Sequence, residues 1–133
     1  MKKILIVEDE IAYSRILEEV LKKEDYTIIT ARNGKEGLEA ASSEHPDIIL
    51  LDIRMPVMDG TEMLTELRKT EYGAKVKVVM LTNLEPDREI ITKVVKDQPT
   101  YYLIKSDISI EELKAKIKLL LLEDEDETLP KAA

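Results

Sequence analysis

The chain has 133 residues, a formal net charge of −8 and no cysteine. That length is one ordinary domain with no room for a second of normal size, and the missing cysteine excludes disulfide and thiolate chemistry. An acidic balance, with 36% of residues charged, argues against nucleic acid as a direct ligand.

The opening MKKILIVEDE sets two lysines before an apolar run. That run covers only Ile4 to Val7, and Glu8, Asp9 and Glu10 close it, so it reads as part of a first strand, Lys3 to Val7, and not as a signal peptide. No other stretch approaches membrane-spanning length, and a cytoplasmic protein is the expectation. A helix follows, with Tyr13, Ile16, Leu17, Val20 and Leu21 forming its apolar stripe. Tyr26 to Thr30 predicts a second strand, and Asn33 with Glu36 starts a second helix. Asp47 to Leu51 predicts a third strand, short, apolar and buried on both faces, running straight into Asp52. Asp59-Gly60-Thr61-Glu62 starts a third helix. Val76 to Leu81 is a fourth strand, and Glu85-Pro86 opens a fourth helix with proline at its first position. Tyr101 to Ile104 is a fifth strand, and Ser109 to Glu112 is a capping box opening a fifth helix. That helix carries a core stripe of Ile110, Leu113, Ile117, Leu120 and Leu121, and a second stripe of Ala115, Leu119 and Leu122. Five acids from Glu123 to Glu127 oppose the helix dipole. Residues 1–122 therefore read as the domain and 123–133 as an acidic, disordered tail.

Five βα units predict an α/β fold: a five-stranded parallel sheet of order 2-1-3-4-5, flavodoxin-like, with helices on both faces. Ligands of such sheets sit beyond the carboxyl ends of the strands, where chain order reverses. Strand 1 ends in Glu8-Asp9 and strand 3 in Asp52, so three carboxylates converge on one crevice. Two like charges about 4 Å apart cost on the order of 4 kcal/mol at an effective dielectric of 20; a proton or a cation must relieve them. Oxygen donors with open positions suit Mg2+, which completes its shell with water and phosphate. Strand 4 ends at Thr82, a hydroxyl donor, and strand 5 at Lys105, a cation able to offset phosphate charge. Each residue alone has an ordinary explanation; four together at four strand ends of one edge point to phosphoryl chemistry.

LIVEDE (5–10), PDIILLDIRMPVMDG (46–60), VVMLT (78–82) and YYLIK (101–105) together resemble the receiver domain of bacterial two-component response regulators, from about Lys3 to Leu122. The resemblance implies a stand-alone, chemotaxis-regulator-like domain, or a piece of a longer regulator. It implies Asp52 as phosphoacceptor from a sensor histidine kinase or a phosphotransfer protein. Mg2+ or Mn2+ would be held by Asp9, Asp52 and the backbone carbonyl of Arg54, with Glu8 acting through water. Thr82 and Lys105 would bind phosphoryl oxygens, and the chain would catalyse its own metal-dependent phosphorylation and slow dephosphorylation. Thr82 and Tyr102 would form a switch reshaping the surface of helix 4, strand 5 and helix 5 toward a downstream target or a homodimer. Arg54 and Leu84 would tune phosphoryl lifetime; Leu84 cannot orient an attacking water. Ala115, Leu119 and Leu122 form a candidate interface, and Ile11 faces outward where the family meets its kinase. Nucleic acid and membrane are not expected as direct partners.

Three positions depart from the family pattern. Gln98-Pro99 replaces a Gly-Ala pair, Ser106 replaces a proline with a cis bond, and Asn83 replaces a small residue. The resembling family competes with three other readings. A haloacid-dehalogenase-type phosphatase needs an acid where Arg54 stands. A flavodoxin-like cofactor binder needs a glycine- and hydroxyl-rich loop where Glu8-Asp9-Glu10 stands. A receiver-like interaction module that is never phosphorylated is the remaining alternative.

Overall fold

In a computed structural model of the chain, residues 1–126 are described, with side chains as far as Leu122. The strands are β1 (Lys3–Val7), β2 (Thr27–Ala31), β3 (Ile48–Leu51), β4 (Lys77–Thr82) and β5 (Tyr101–Ile104), and the helices are α1 (Ile11–Lys22), α2 (Gly34–Glu44), α3 (Gly60–Arg68), α4 (Arg88–Val95) and α5 (Ile110–Asp126). All pairings are parallel and the order is β2-β1-β3-β4-β5, the flavodoxin-like sheet expected.

The sheet separates two apolar layers because strand side chains alternate between faces. Leu5, Val7, Ile49, Leu51, Val78 and Met80 point toward α2, α3 and α4, where Met63, Leu64 and Val94 meet them. Ile4, Ile6, Ile48, Leu50, Val79 and Leu81 point the other way, against Leu17 and Leu21 of α1 and Leu113, Ile117, Leu120 and Leu121 of α5. β3 is buried along its whole length, as its unbroken apolar run predicts. β2 and β5, the sheet's edges, are only partly covered.

Several details differ from the sequence expectation. Ile16 is 48% exposed and lies outside the core; the inward arc of α1 is narrower than its apolar pattern. α4 starts at Arg88, after the expected Glu85-Pro86, because the Asp87 carboxylate caps it by accepting from Ile90 N–H at 2.9 Å. No peptide bond among the described residues is cis, and Lys105–Asp107 forms a single 3-10 turn after β5. α5 continues to Asp126, four residues into the segment read as a tail; the rest of that segment lies outside the described residues. No helix among the described residues is long and apolar enough to cross a membrane.

Candidate functional site

Strand register builds the site. Val7 of β1 pairs with Leu51 of β3, so the next residues, Glu8 and Asp52, leave the sheet side by side. The main chain holds them there: Asp52 N–H donates to Val7 O at 3.1 Å and Glu8 N–H to Ala31 O at 3.0 Å. On the other flank Thr82 pairs with Ile104, which delivers Lys105 to the same edge. Gly60, at the start of α3, lies so close to the Asp52 carbonyl that any Cβ there would strike it. Asp59 fixes that helix start, its carboxylate accepting from Glu62 N–H and the Thr61 hydroxyl.

Glu8, Asp9 and Asp52 each offer an oxygen within 4.8 Å of the others. Glu8 is 3% exposed and Asp52 8%, whereas Asp9 is open to solvent. One Asp52 oxygen accepts from the Ile53 N–H at 2.7 Å. Lys105 stands among the acids: its ammonium pairs with Glu8 Oε1, lies 3.3 Å from Asp52 Oδ2 and 3.4 Å from Glu10 Oε2. The ring of Tyr13, in the first turn of α1, lies on another side of it, with its centroid 4.5 Å away.

One lysine does not satisfy this cluster. Glu8 Oε2 is buried without a hydrogen-bond partner, a costly arrangement in a low-dielectric setting. Burial, with the Asp52 carboxylate beside it, pushes the Glu8 carboxyl up to about 8, against the pull of Lys105. Desolvation pulls the Lys105 ammonium down, but the bond to Glu8 and the charge of Asp52 outweigh it, leaving Lys105 above its ordinary value. An unpartnered carboxylate oxygen, three convergent hard-oxygen donors and an open side at Asp9 fit a divalent cation such as Mg2+.

Thr82 is buried at the end of β4, its hydroxyl accepting from Leu84 N–H at 3.2 Å. Leu84 O in turn accepts from the Tyr102 hydroxyl at 2.6 Å. Leu84, which the sequence suggested only as a lifetime residue, thus joins Thr82 to Tyr102 through its backbone. Tyr102 is half-buried, and burial lifts its hydroxyl to about 12. Arg54 is exposed on the loop leaving Asp52. Ile11, Leu119 and Leu122 are exposed at 44%, 63% and 43%, and Ala115 is exposed with them on α5. Beside β5, an apolar groove of about 730 Å3 is bordered by Pro86, Ile91, Val95, Tyr101 and Ile104.

Sequence reasoning missed two members of the cluster. In the sequence Glu10 only closes the first apolar run and Tyr13 belongs to the apolar stripe of the first helix. The signal was there: both lie within one helical turn of Asp9 on an element that begins at the site, the segment whose side chains a strand-end crevice must meet.

A family model described as "Response regulator receiver domain" matches residues 4–118. The chain is 38% identical over 128 residues, 96% of its length, to a probable transcriptional regulator, ycf27, of Cyanophora paradoxa, covering 52% of that protein. The chain spans about half the length of the curated relatives it matches. Among solved structures it is similar to a CheY-like response regulator receiver domain protein of Methanospirillum hungatei, with a TM-score of 0.86 at 31% identity, covering 96% of this chain and 98% of that one. It is also similar to the response regulator TrrA of Thermotoga maritima, solved in complex with Mg2+-BeF, with a TM-score of 0.77 at 37% identity, covering 90% of this chain and 99% of that one.

Proposed function

This chain belongs to the response regulator receiver domain family of two-component systems, and from that premise we propose that it is a phosphoacceptor switch whose acceptor is Asp52. The observation that carries the reading is the meeting of Glu8, Asp9, Asp52, Thr82 and Lys105 at the carboxyl ends of four strands. An Asp52 carboxylate oxygen attacks the phosphorus of a phosphohistidine on a sensor kinase or phosphotransfer protein. The P–N bond breaks, the imidazole leaves with its electron pair and takes up a proton, and an acyl phosphate forms.

Asp9, Asp52 and the Arg54 carbonyl would hold Mg2+ or Mn2+, with Glu8 reaching it through water. Bound there, the cation neutralises phosphoryl oxygens and the acids facing them. Lys105, already 3.3 Å from Asp52, is placed to pair with a phosphoryl oxygen, and the Thr82 hydroxyl to donate to another. For so loose a transition state, positioning and charge neutralisation supply most of the catalysis.

Output follows from the shared backbone. If the Thr82 hydroxyl turns to the phosphoryl group, Leu84 N–H loses its acceptor, and the segment that holds the Tyr102 hydroxyl is released to move. The groove between α4 and β5, with Ala115, Leu119 and Leu122 of α5, is the surface such a shift would present to a target or a second copy. Ile11, exposed at the start of α1, is suited to the kinase. The hydrophobic Leu84 offers no group to orient water, so the acyl phosphate decays slowly, and Leu84→Glu shortens its lifetime. A fast wild-type decay that Leu84→Glu leaves unchanged sinks that part of the reading. Incubation with acetyl phosphate and Mg2+ tests the whole: wild type gains the mass of one phosphoryl group and Asp52→Asn gains none. No gain by the wild type supports instead an interaction module that is never phosphorylated.

A further inference from the structure

The ammonium of Lys105 is crowded by carboxylates in a way that a bound cation would undo. Its contacts are Glu8, Asp52 and Glu10, and two of those three belong to the cation-binding cluster. A divalent ion drawing on Glu8 and Asp52 would weaken the attraction that holds the lysine in place. Among the described residues, two contacts of the ammonium lie outside that cluster: Glu10, whose side chain is 66% exposed and screened by solvent, and the Tyr13 ring on the buried side, whose aromatic face is no ligand for a hard cation. The ring centroid is 4.5 Å from Nζ, within the range where a ring quadrupole attracts a cation. The Lys105 side chain is 7% exposed, so the attraction acts in a partly desolvated setting, where it is strongest. Tyr13 is itself fixed, half-buried against the core between α1, α5 and the sheet. It also borders, with Glu8, Leu17 and Asp52, a cavity of about 10 Å3 beneath the site.

We propose that Tyr13 is a positioning residue for Lys105: its ring face keeps the lysine ammonium at the site when a divalent cation takes over the carboxylates. The proposal rests on the phosphoacceptor reading for its consequence, but its geometry can be tested without phosphorylation. In the full chain with labelled lysine side chains, Lys105 methylene protons should carry an upfield ring-current shift in NMR spectra, and MgCl2 alone should leave that shift in place. Disappearance of the shift as Mg2+ binds would overturn the proposal.

The kinetic arm uses acetyl phosphate with Mg2+. Tyr13→Leu should slow phosphorylation roughly tenfold, while Tyr13→Phe, which keeps the ring, should stay within about twofold of wild type. Mg2+ affinity of Tyr13→Leu should match wild type, because no ligand is lost. In a Lys105→Ala background the Tyr13→Leu change should add nothing. A Phe variant as slow as Leu, a fall in Mg2+ affinity, or an undiminished effect without Lys105 would each show that Tyr13 does not act through the lysine. A wild type that takes no phosphoryl group defeats the phosphoacceptor reading, and the NMR arm still decides the role of Tyr13.

Discussion

At the edge where the strands begin, Arg68 donates to the carbonyls of Gly73, Val76, Asp97 and Gln98 at 2.7 to 2.9 Å. At the edge where they end, Lys105 is shared among three carboxylates and one carboxylate oxygen has no partner. Both cations are partly buried. The first closes two loops that would otherwise leave main-chain oxygens without donors, while Thr65 bonds Asp97 beside it and Tyr72 stacks on His45. The second leaves a surplus of negative charge. A polar cluster that satisfies itself holds a fold together; one that does not is poised to take a ligand.

The largest effect separating the two edges is Arg68→Ala. It should lower stability by about 2 kcal/mol in urea unfolding, since four carbonyls, three of them in partly buried hydrogen bonds, lose their donor together, and leave Mg2+ affinity unchanged. A parallel loss of Mg2+ affinity would show that the edges are coupled and break the contrast.

Next comes the pH dependence of the metal-free protein. Glu8 moves from 4.5 to about 8 on folding, so between those values the native state keeps a proton that the unfolded chain has lost. Its contribution to stability is therefore full below about pH 4.5 and is lost as pH rises toward 8. Denaturation in EDTA from pH 5 to 8 should show that slope, and Glu8→Gln should flatten it. Mg2+ should oppose it, because the cation favours the ionised acid.

Smaller still is Asp59→Ala, which removes a helix cap and should cost about 1 kcal/mol. Smallest is Val57→Gly. Val57 lies on the loop beyond Asp52, 76% exposed with φ at +70°, a conformation disfavoured for a β-branched side chain. Relieving it should raise stability by about 0.5 kcal/mol, which would place backbone strain at the ligand-taking edge.

What could be read from sequence follows the range of the signal. Glu8, Asp9, Asp52, Thr82 and Lys105 were legible because each ends an apolar strand, and strand order alone brings strand ends together. Asp59 and Ser109 announced helix starts through partners three residues away. Ile16 misled because an apolar period says nothing about how wide an arc the neighbours cover. Arg68 was silent because its partners are main-chain oxygens, which leave no mark in the sequence. Tyr13 was ambiguous in a different way: the same spacing that puts it in the core also puts it against Lys105.

The sequence separation of Glu8 and Lys105, 97 residues, bears on the order in which the site assembles. Its acids all lie within the first 52 residues, and its lysine comes from the last strand. On a folding route where β1 pairs with β2 and β3 before β5 docks, carboxylates gather with no lysine among them. Until β5 docks, only protons or a metal ion from the surroundings can relieve that charge, and Mg2+ should therefore speed folding as well as stabilise its end point.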